Sequence, residues 1–255
     1  MMTRRDLLAC TGVLFSGWAA PRCEAAEIRA IGCQLMAPVD RLGLGAESVV
    51  PILQADQRLI TSSGNADLDH YLGRALVRLA GQFEIYPGFG FYDDSNHNNA
   101  LAVRETKIPG TEGTVIFGVH LFRNALHDSH DQGVAVIAVC AHEFGHIFQY
   151  NSGYYDKLTT GVGAHTVKLI ELHADYLAGY YLAGRKAAYP DLDLQGAGAL
   201  FDRLGDTQFN DPTHHGTSAQ RVAAIEAGFK FGRHSEQPIK PAAANGAEFV
   251  LEQFS

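Results

Sequence analysis

Basic charge is scarce in this chain: 20 Lys and Arg stand against 28 Asp and Glu, for a formal net charge of −8 at pH 7. An acidic surface repels phosphate backbones, and no cluster of basic and aromatic residues overrides that repulsion, which excludes nucleic acid as a partner. Long apolar runs are also missing. The hydrophobic stretch at the amino end, Leu7 to Ala20, covers 14 residues, short of the roughly 20 that a membrane-spanning helix needs. No internal repeat or low-complexity block is present. No repeated aromatic pattern supports a glycan-binding, cell-wall module. Cysteine is sparse: Cys10 and Cys23 fall in the first 26 residues, leaving Cys33 and Cys140. These either pair in an oxidising compartment or, for Cys140, fill a small buried space.

What is present begins with Thr3-Arg4-Arg5-Asp6-Leu7-Leu8, a twin-arginine pattern that leads through the apolar stretch to Ala25-Ala26. It reads as a removable signal over residues 1–26, cleaved near Ala25 and Ala26 or at Ala20, ahead of one domain over 27–255. The expected location is the bacterial periplasm or the exterior, with no stable membrane span after signal removal. Twin-arginine export carries folded proteins, which suits a chain that takes up metal before leaving the cytoplasm. Cleavage removes three basic and two acidic side chains, leaving 17 against 26 in 229 residues, enough for one substantial core.

The most informative segment is His142-Glu143-Phe144-Gly145-His146. On a helix, residues four apart share a face, so the two imidazoles can hold one ion while Glu143 stands beside a water on it. That is the chemistry of peptide-bond hydrolysis. The flanks, Val134 to Ala141 and Ile147-Phe148, are apolar and predict a largely buried helix of about four turns. Burying an uncompensated carboxylate is costly, and a neighbouring divalent cation removes the cost, so metal is the simplest account of Glu143.

Catalytic zinc takes three protein ligands. Between Thr166 and Leu182 apolar residues recur at helical spacing, and Glu171 and Asp175 lie four apart on one face. Glu171 is the expected third ligand and Asp175 the expected acceptor for the N–H of a ligating imidazole. The alternative is a solvated acidic face. His173 sits two residues from Glu171, about 160° around the axis, and reads as a structural or surface histidine.

The runs Ala141-His142-Glu143-Phe144-Gly145-His146-Ile147-Phe148-Gln149 and Glu171-Leu172-His173-Ala174-Asp175-Tyr176-Leu177-Ala178-Gly179 resemble the bacterial neutral zinc metallopeptidases of the gluzincin group. The segment Asp211 to Val222 is similar to that family's His-Gly-Thr/Ser-x-x-Gln-Arg stretch. Asn99 to Val103 and Gly113 to Gly118 resemble the Asn-Ala-x-Ala turn and edge strand of related membrane-associated CAAX-type and heat-shock proteases. The resemblance spans about Asn99 to Phe229. It implies an α+β, zincin-like metallopeptidase domain, mainly helical with a small sheet beside the zinc helix. It also implies one catalytic Zn2+ on His142, His146 and Glu171, Glu143 as base, and a peptide or protein substrate. His215 and Arg221 would lie near the active site, His215 rather than His214 because it adjoins the glycine. The plainer reading of that segment is a surface turn and the first turn of a helix, capped by Ser218. The chain departs from its CAAX-type relatives in lacking membrane spans around the core.

Elsewhere, Leu68, Tyr71, Leu72, Ala75, Leu76 and Leu79 mark an amphipathic helix over 66–79. Strands are expected at Phe83 to Tyr86, Phe89 to Tyr92, Ala100 to Val103 and Thr114 to Val119. The resemblance makes Gly113 to Gly118 a free edge for an extended substrate, whereas periodicity alone fits an internal strand equally well. His120, His127 and His130 read as loop residues rather than a second metal site. Asn151 to His165 reads as a loop beside the cleft, 235–246 as a linker or surface wrap, and 27–60 as a packed extension or a covering segment. For the oxyanion, His215 is the first choice, with Arg221, Tyr150, Tyr154 and Tyr155 as alternatives. A non-proteolytic zinc scaffold or envelope chaperone is the other reading, and Glu143 argues against it, since a structural site needs no base.

Overall fold

A computed structural model describes residues 59–95, 99–128, 133–160, 167–194, 197–198, 201, 215–235 and 237–255. The expected signal, most of the 27–60 extension, Cys33, His130 and His214 lie outside these residues. Helix α1 (Ala66–Phe83) starts where Asn65 Oδ1 accepts the N–H groups of Asp67 and Leu68, and it ends at Glu84 in the left-handed conformation. It therefore runs past Leu79 and consumes the start of the strand expected at Phe83. Burial decides this: Phe83 packs edge-on against Phe144 and Phe148 and beside Tyr181, which outweighs its β-propensity.

Strands β1 (Gly88–Tyr92), β2 (Ala100–Val103) and β3 (Thr114–Gly118) form a sheet of order β1-β3-β2, with β1 parallel and β2 antiparallel to β3. The strand nearest the metal-motif helix in sequence, β3, is thus the middle one, and the edge role expected for Gly113 to Gly118 is not available to it. Every residue of β3 is buried, as suits a strand paired on both sides. On the outer side of β1, Ile60 makes an antiparallel bridge to Phe91.

Helix α2 (Val119–Asp128) follows β3 directly, its first N–H groups taken by the buried Asp94 carboxylate at 2.6 Å from His120 N and 3.0 Å from Leu121 N. Helix α3 (Val134–Ser152) is apolar nearly all round and so is buried nearly all round. It contacts α1, α2, β2 and β3, the short α4 (Tyr154–Thr160) and the long α5 (Lys168–Ala188). The stretch expected to be a loop from Asn151 is mostly helical through Thr160. Gly153, at φ 76°, ends α3 and lets the chain turn, after which Tyr155 and Leu158 bury themselves.

Helix α6 (Ser218–His234) begins with a capping box, Thr217 Oγ1 accepting from Gln220 N at 3.2 Å and Gln220 Oε1 accepting from Thr217 N at 2.9 Å. Thr217, not Ser218, is the cap, because its side chain alone is positioned one residue before the first helical turn. Helices α5 and α6 meet through glycines. A Cβ on Gly228 would overlap the carbonyl of Tyr176, and one on Gly179 would overlap that of Ile225.

The segment expected to be a linker becomes α7 (Ile239–Phe254). Pro238 precedes the helix and Pro241 occupies its first turn, where a missing N–H costs nothing. Ile239, Ala242, Ala243, Gly246, Ala247 and Val250 then form one buried face at helical spacing. The architecture is α+β, mainly helical with one small sheet. No helix among the described residues is long and apolar enough to cross a membrane.

Candidate metal centre

Two turns of α3 and the first turn of α5 bring three donors together. His142 Nε2 and His146 Nε2 lie 3.1 Å apart, and the two Glu171 oxygens lie 3.3 Å from the first and 3.4 Å from the second. Bonds of about 2.0–2.1 Å at tetrahedral angles would separate ligand atoms by about 3.3 Å. The donor spacing is therefore compatible with one metal ion held by all three. Glu171 is fully buried, and neither of its oxygens accepts a hydrogen bond in good geometry. A buried carboxylate facing two imidazole nitrogens is an arrangement that could hold a cation. Among the described residues this is the one such group of three. His120 is half-buried on α2, 3.4 Å from Asp93, and contributes to no such cluster among the described residues.

Electrostatics agree with the geometry. Burial works against a charged His142, yet the Asp175 and Glu171 carboxylates overcome it and hold the imidazole up at about 10. The field at this point favours positive charge. Burial would raise Glu171, but His146, His215 and the contacts to the His142 and His146 imidazoles hold it well below the usual carboxylate range. His215, half-buried just ahead of Gly216 and α6, thus stands close enough to Glu171 to act on its charge.

Asp175, one turn beyond Glu171, places Oδ1 2.8 Å from His142 Nδ1. Arg221 reaches across from α6 and grips the same carboxylate twice, Nε donating to Oδ2 and a terminal nitrogen to Oδ1, each at 2.8 Å. Burial tends to raise Asp175, and Arg221 and His142 pull it below its ordinary value. Arg221 therefore addresses the site through Asp175. Phe201 closes this side, its ring 5.9 Å from that of His142 and 5.5 Å from the Arg221 guanidinium carbon.

Glu143 lies on α3 between the two histidines and is 1% exposed. Its charge is felt nearby: burial first, then Glu143, push the Cys140 thiol far above its ordinary range. Of the three tyrosines weighed as donors, Tyr150 is the one whose hydroxyl senses the site. Burial and Tyr155 raise it, Arg104 opposes them, and Glu143 and Glu171 raise it further. Its hydroxyl points at Ala102 O, 3.5 Å away. Tyr154 instead packs on His173 and Phe148. The guanidinium of Arg104 stands 4.7 Å from the ring centres of both Tyr150 and Tyr155.

Sequence reasoning assigned no role to Gln149 and left His173 between structure and surface. Both are fully buried, and Gln149 contacts His146 Nδ1 at 2.9 Å. Burial pulls His173 down to about 4, so it is a neutral imidazole. The available signal was the helical spacing, which puts Gln149 one turn past His146. The chain matches no family model, and no curated protein or solved structure matches it.

Proposed function

We propose that the chain is a zinc-dependent, zincin-like metalloendopeptidase acting in the bacterial periplasm or outside the cell. The carrying observation is Glu143, buried on the same helix face region as a His142, His146 and Glu171 set whose spacing fits one ion. Two nitrogens and an oxygen favour zinc over calcium or magnesium, which prefer all-oxygen surroundings. Bound there, zinc supplies Lewis acidity, acidifying a water and polarising a substrate carbonyl. Glu143 accepts the water's proton on a carboxylate oxygen and then delivers it to the leaving amine. Asp175 keeps a proton on His142 Nδ1, and Arg221 keeps Asp175 ionised. His215 is the favoured donor to the developing oxyanion, with Tyr150 second.

The edge strand β2 is the favoured seat for an extended peptide. Gly118 N–H donates to Asn99 O at 2.9 Å, so antiparallel alternation turns the N–H of Ala102 away from β3 and toward that edge, while its carbonyl there meets the Tyr150 hydroxyl. The Arg4-Arg5 pattern and the Leu7 to Ala20 stretch support twin-arginine export. Glu143→Gln is expected to retain zinc by elemental analysis while losing casein cleavage. Wild-type turnover in a metal-loaded variant defeats the assignment. If the metal-loaded wild-type chain cleaves neither casein, unfolded envelope proteins nor peptidoglycan, the reading passes to a non-proteolytic zinc scaffold or envelope chaperone.

A further inference from the structure

The geometry points to Gln149 as a positioning residue that fixes which nitrogen of His146 is bare, its own amide oriented by a carbonyl of α5 and by His173, which is set in turn by a carbonyl of α7. The inference rests on the reading of His142, His146 and Glu171 as metal ligands. It starts from atoms with a single possible role. Ile170 O only accepts, so the Gln149 amide atom 2.8 Å from it is the nitrogen. The same nitrogen is 3.0 Å from His173 Nδ1, which must therefore accept. An independent carbonyl agrees: Ala243 O, 3.0 Å from His173 Nε2, requires the imidazole proton to sit on that nitrogen and leaves Nδ1 bare.

With both amide protons of Gln149 committed, its oxygen faces His146 Nδ1 at 2.9 Å. An amide oxygen accepts only, so the proton of a neutral His146 sits on Nδ1 and Nε2 turns a lone pair toward His142 and Glu171. The opposite tautomer would put a proton where the ion binds. The two histidines are thus set by different devices. His142 is held by a carboxylate anchored on α6, and His146 by a neutral relay that ends on the main chain of α7. Gln149 and His173 are both fully buried, and each meets its polar neighbours inside the fold.

The test uses the full chain with 15N-labelled histidine, metal-free, read by long-range proton–nitrogen correlation, together with zinc competition against a chromogenic chelator. In the wild type, His146 is expected to show Nδ1 protonated and Nε2 bare, and His173 the reverse. Gln149→Leu, with its circular dichroism unchanged, is expected to populate the Nε2-protonated form of His146 and to bind zinc about ten- to a hundredfold more weakly. His173→Gln, whose amide again offers one acceptor and one donor, is expected to stay within threefold of wild-type affinity, roughly the scatter of such effects. A protonated His146 Nε2 in the wild type overturns the relay whether or not any variant folds. So does a folded Gln149→Leu chain whose zinc affinity lies within about twofold of wild type. Failure of the metal reading shows separately, as no zinc uptake by the wild-type chain, and removes the basis of the inference with it.

Discussion

Replacing Arg221 by methionine tests the buried ion pair behind His142 without touching a metal donor. Two charge-assisted hydrogen bonds at 2.8 Å disappear, and Asp175, with no solvent exposure, keeps only its contact to His142. Stranding one member of a buried pair costs about 3–5 kcal/mol. The surviving imidazole contact places this case near the lower figure, about 3 kcal/mol. In a domain of this size each kcal/mol shifts the melting temperature by about 2–4 °C, so the expected fall is about 6–12 °C. Thermal unfolding followed by circular dichroism, with chelator in every sample, reads it free of metal linkage. The companion variant Asp175→Asn/Arg221→Met removes the stranded charge and keeps an oxygen acceptor for His142, so it is expected to recover at least half the loss. Melting of Arg221→Met within about 2 °C of wild type, or a double variant less stable than the single, would refute the reasoning.

Gly228→Ala sets two effects against each other. Alanine gains about 1 kcal/mol in helix propensity, but its Cβ would overlap the Tyr176 carbonyl and force α5 and α6 apart. Overpacking of about 1–3 kcal/mol or more wins, and a lowered urea midpoint at unchanged slope is the expected result. Thr217→Ala removes the hydroxyl half of the α6 capping box and is expected to cost about 1 kcal/mol, while Thr217→Ser stays close to wild type in the same melt. Zinc at a hundredfold excess over its dissociation constant is expected to stabilise the chelator-treated chain by about 2.7 kcal/mol, and an unchanged melting temperature on zinc addition would count against the metal centre.

The meeting of His142, His146 and Glu171 was legible because helical spacing is local and α3 and α5 announce themselves by long apolar patterns. Asp175 was legible for the same reason, one turn from Glu171. The pairing of Asp175 with Arg221, 46 positions apart, was not, since no periodicity links two helices separated by that much chain. Gln149 and His173 escaped for a similar cause: their role depends on Ala243, 70 positions beyond His173. The helix around Ala243 was hidden by Pro238 and Pro241, which read as breakers although both sit where a helix tolerates proline. Phe83 read as a strand former because propensity was weighed without the aromatic pocket that receives it. Strand order escaped as well, because side-chain alternation is the same for a middle strand and an edge strand.

Gly145 lies between the two histidines on α3, and Ala174 between Glu171 and Asp175 on α5. A Cβ on Gly145 would stand 3.2 Å from the Ala174 Cα. The two main chains therefore touch at the level where the donors converge, with no side chain as a spacer. The separation of the His142 and His146 turn from the Glu171 turn is thus limited by how closely two backbones can approach. A methyl group at position 145 would act as a shim, moving the two main chains apart by a few tenths of an ångström while leaving all three donor side chains in the sequence.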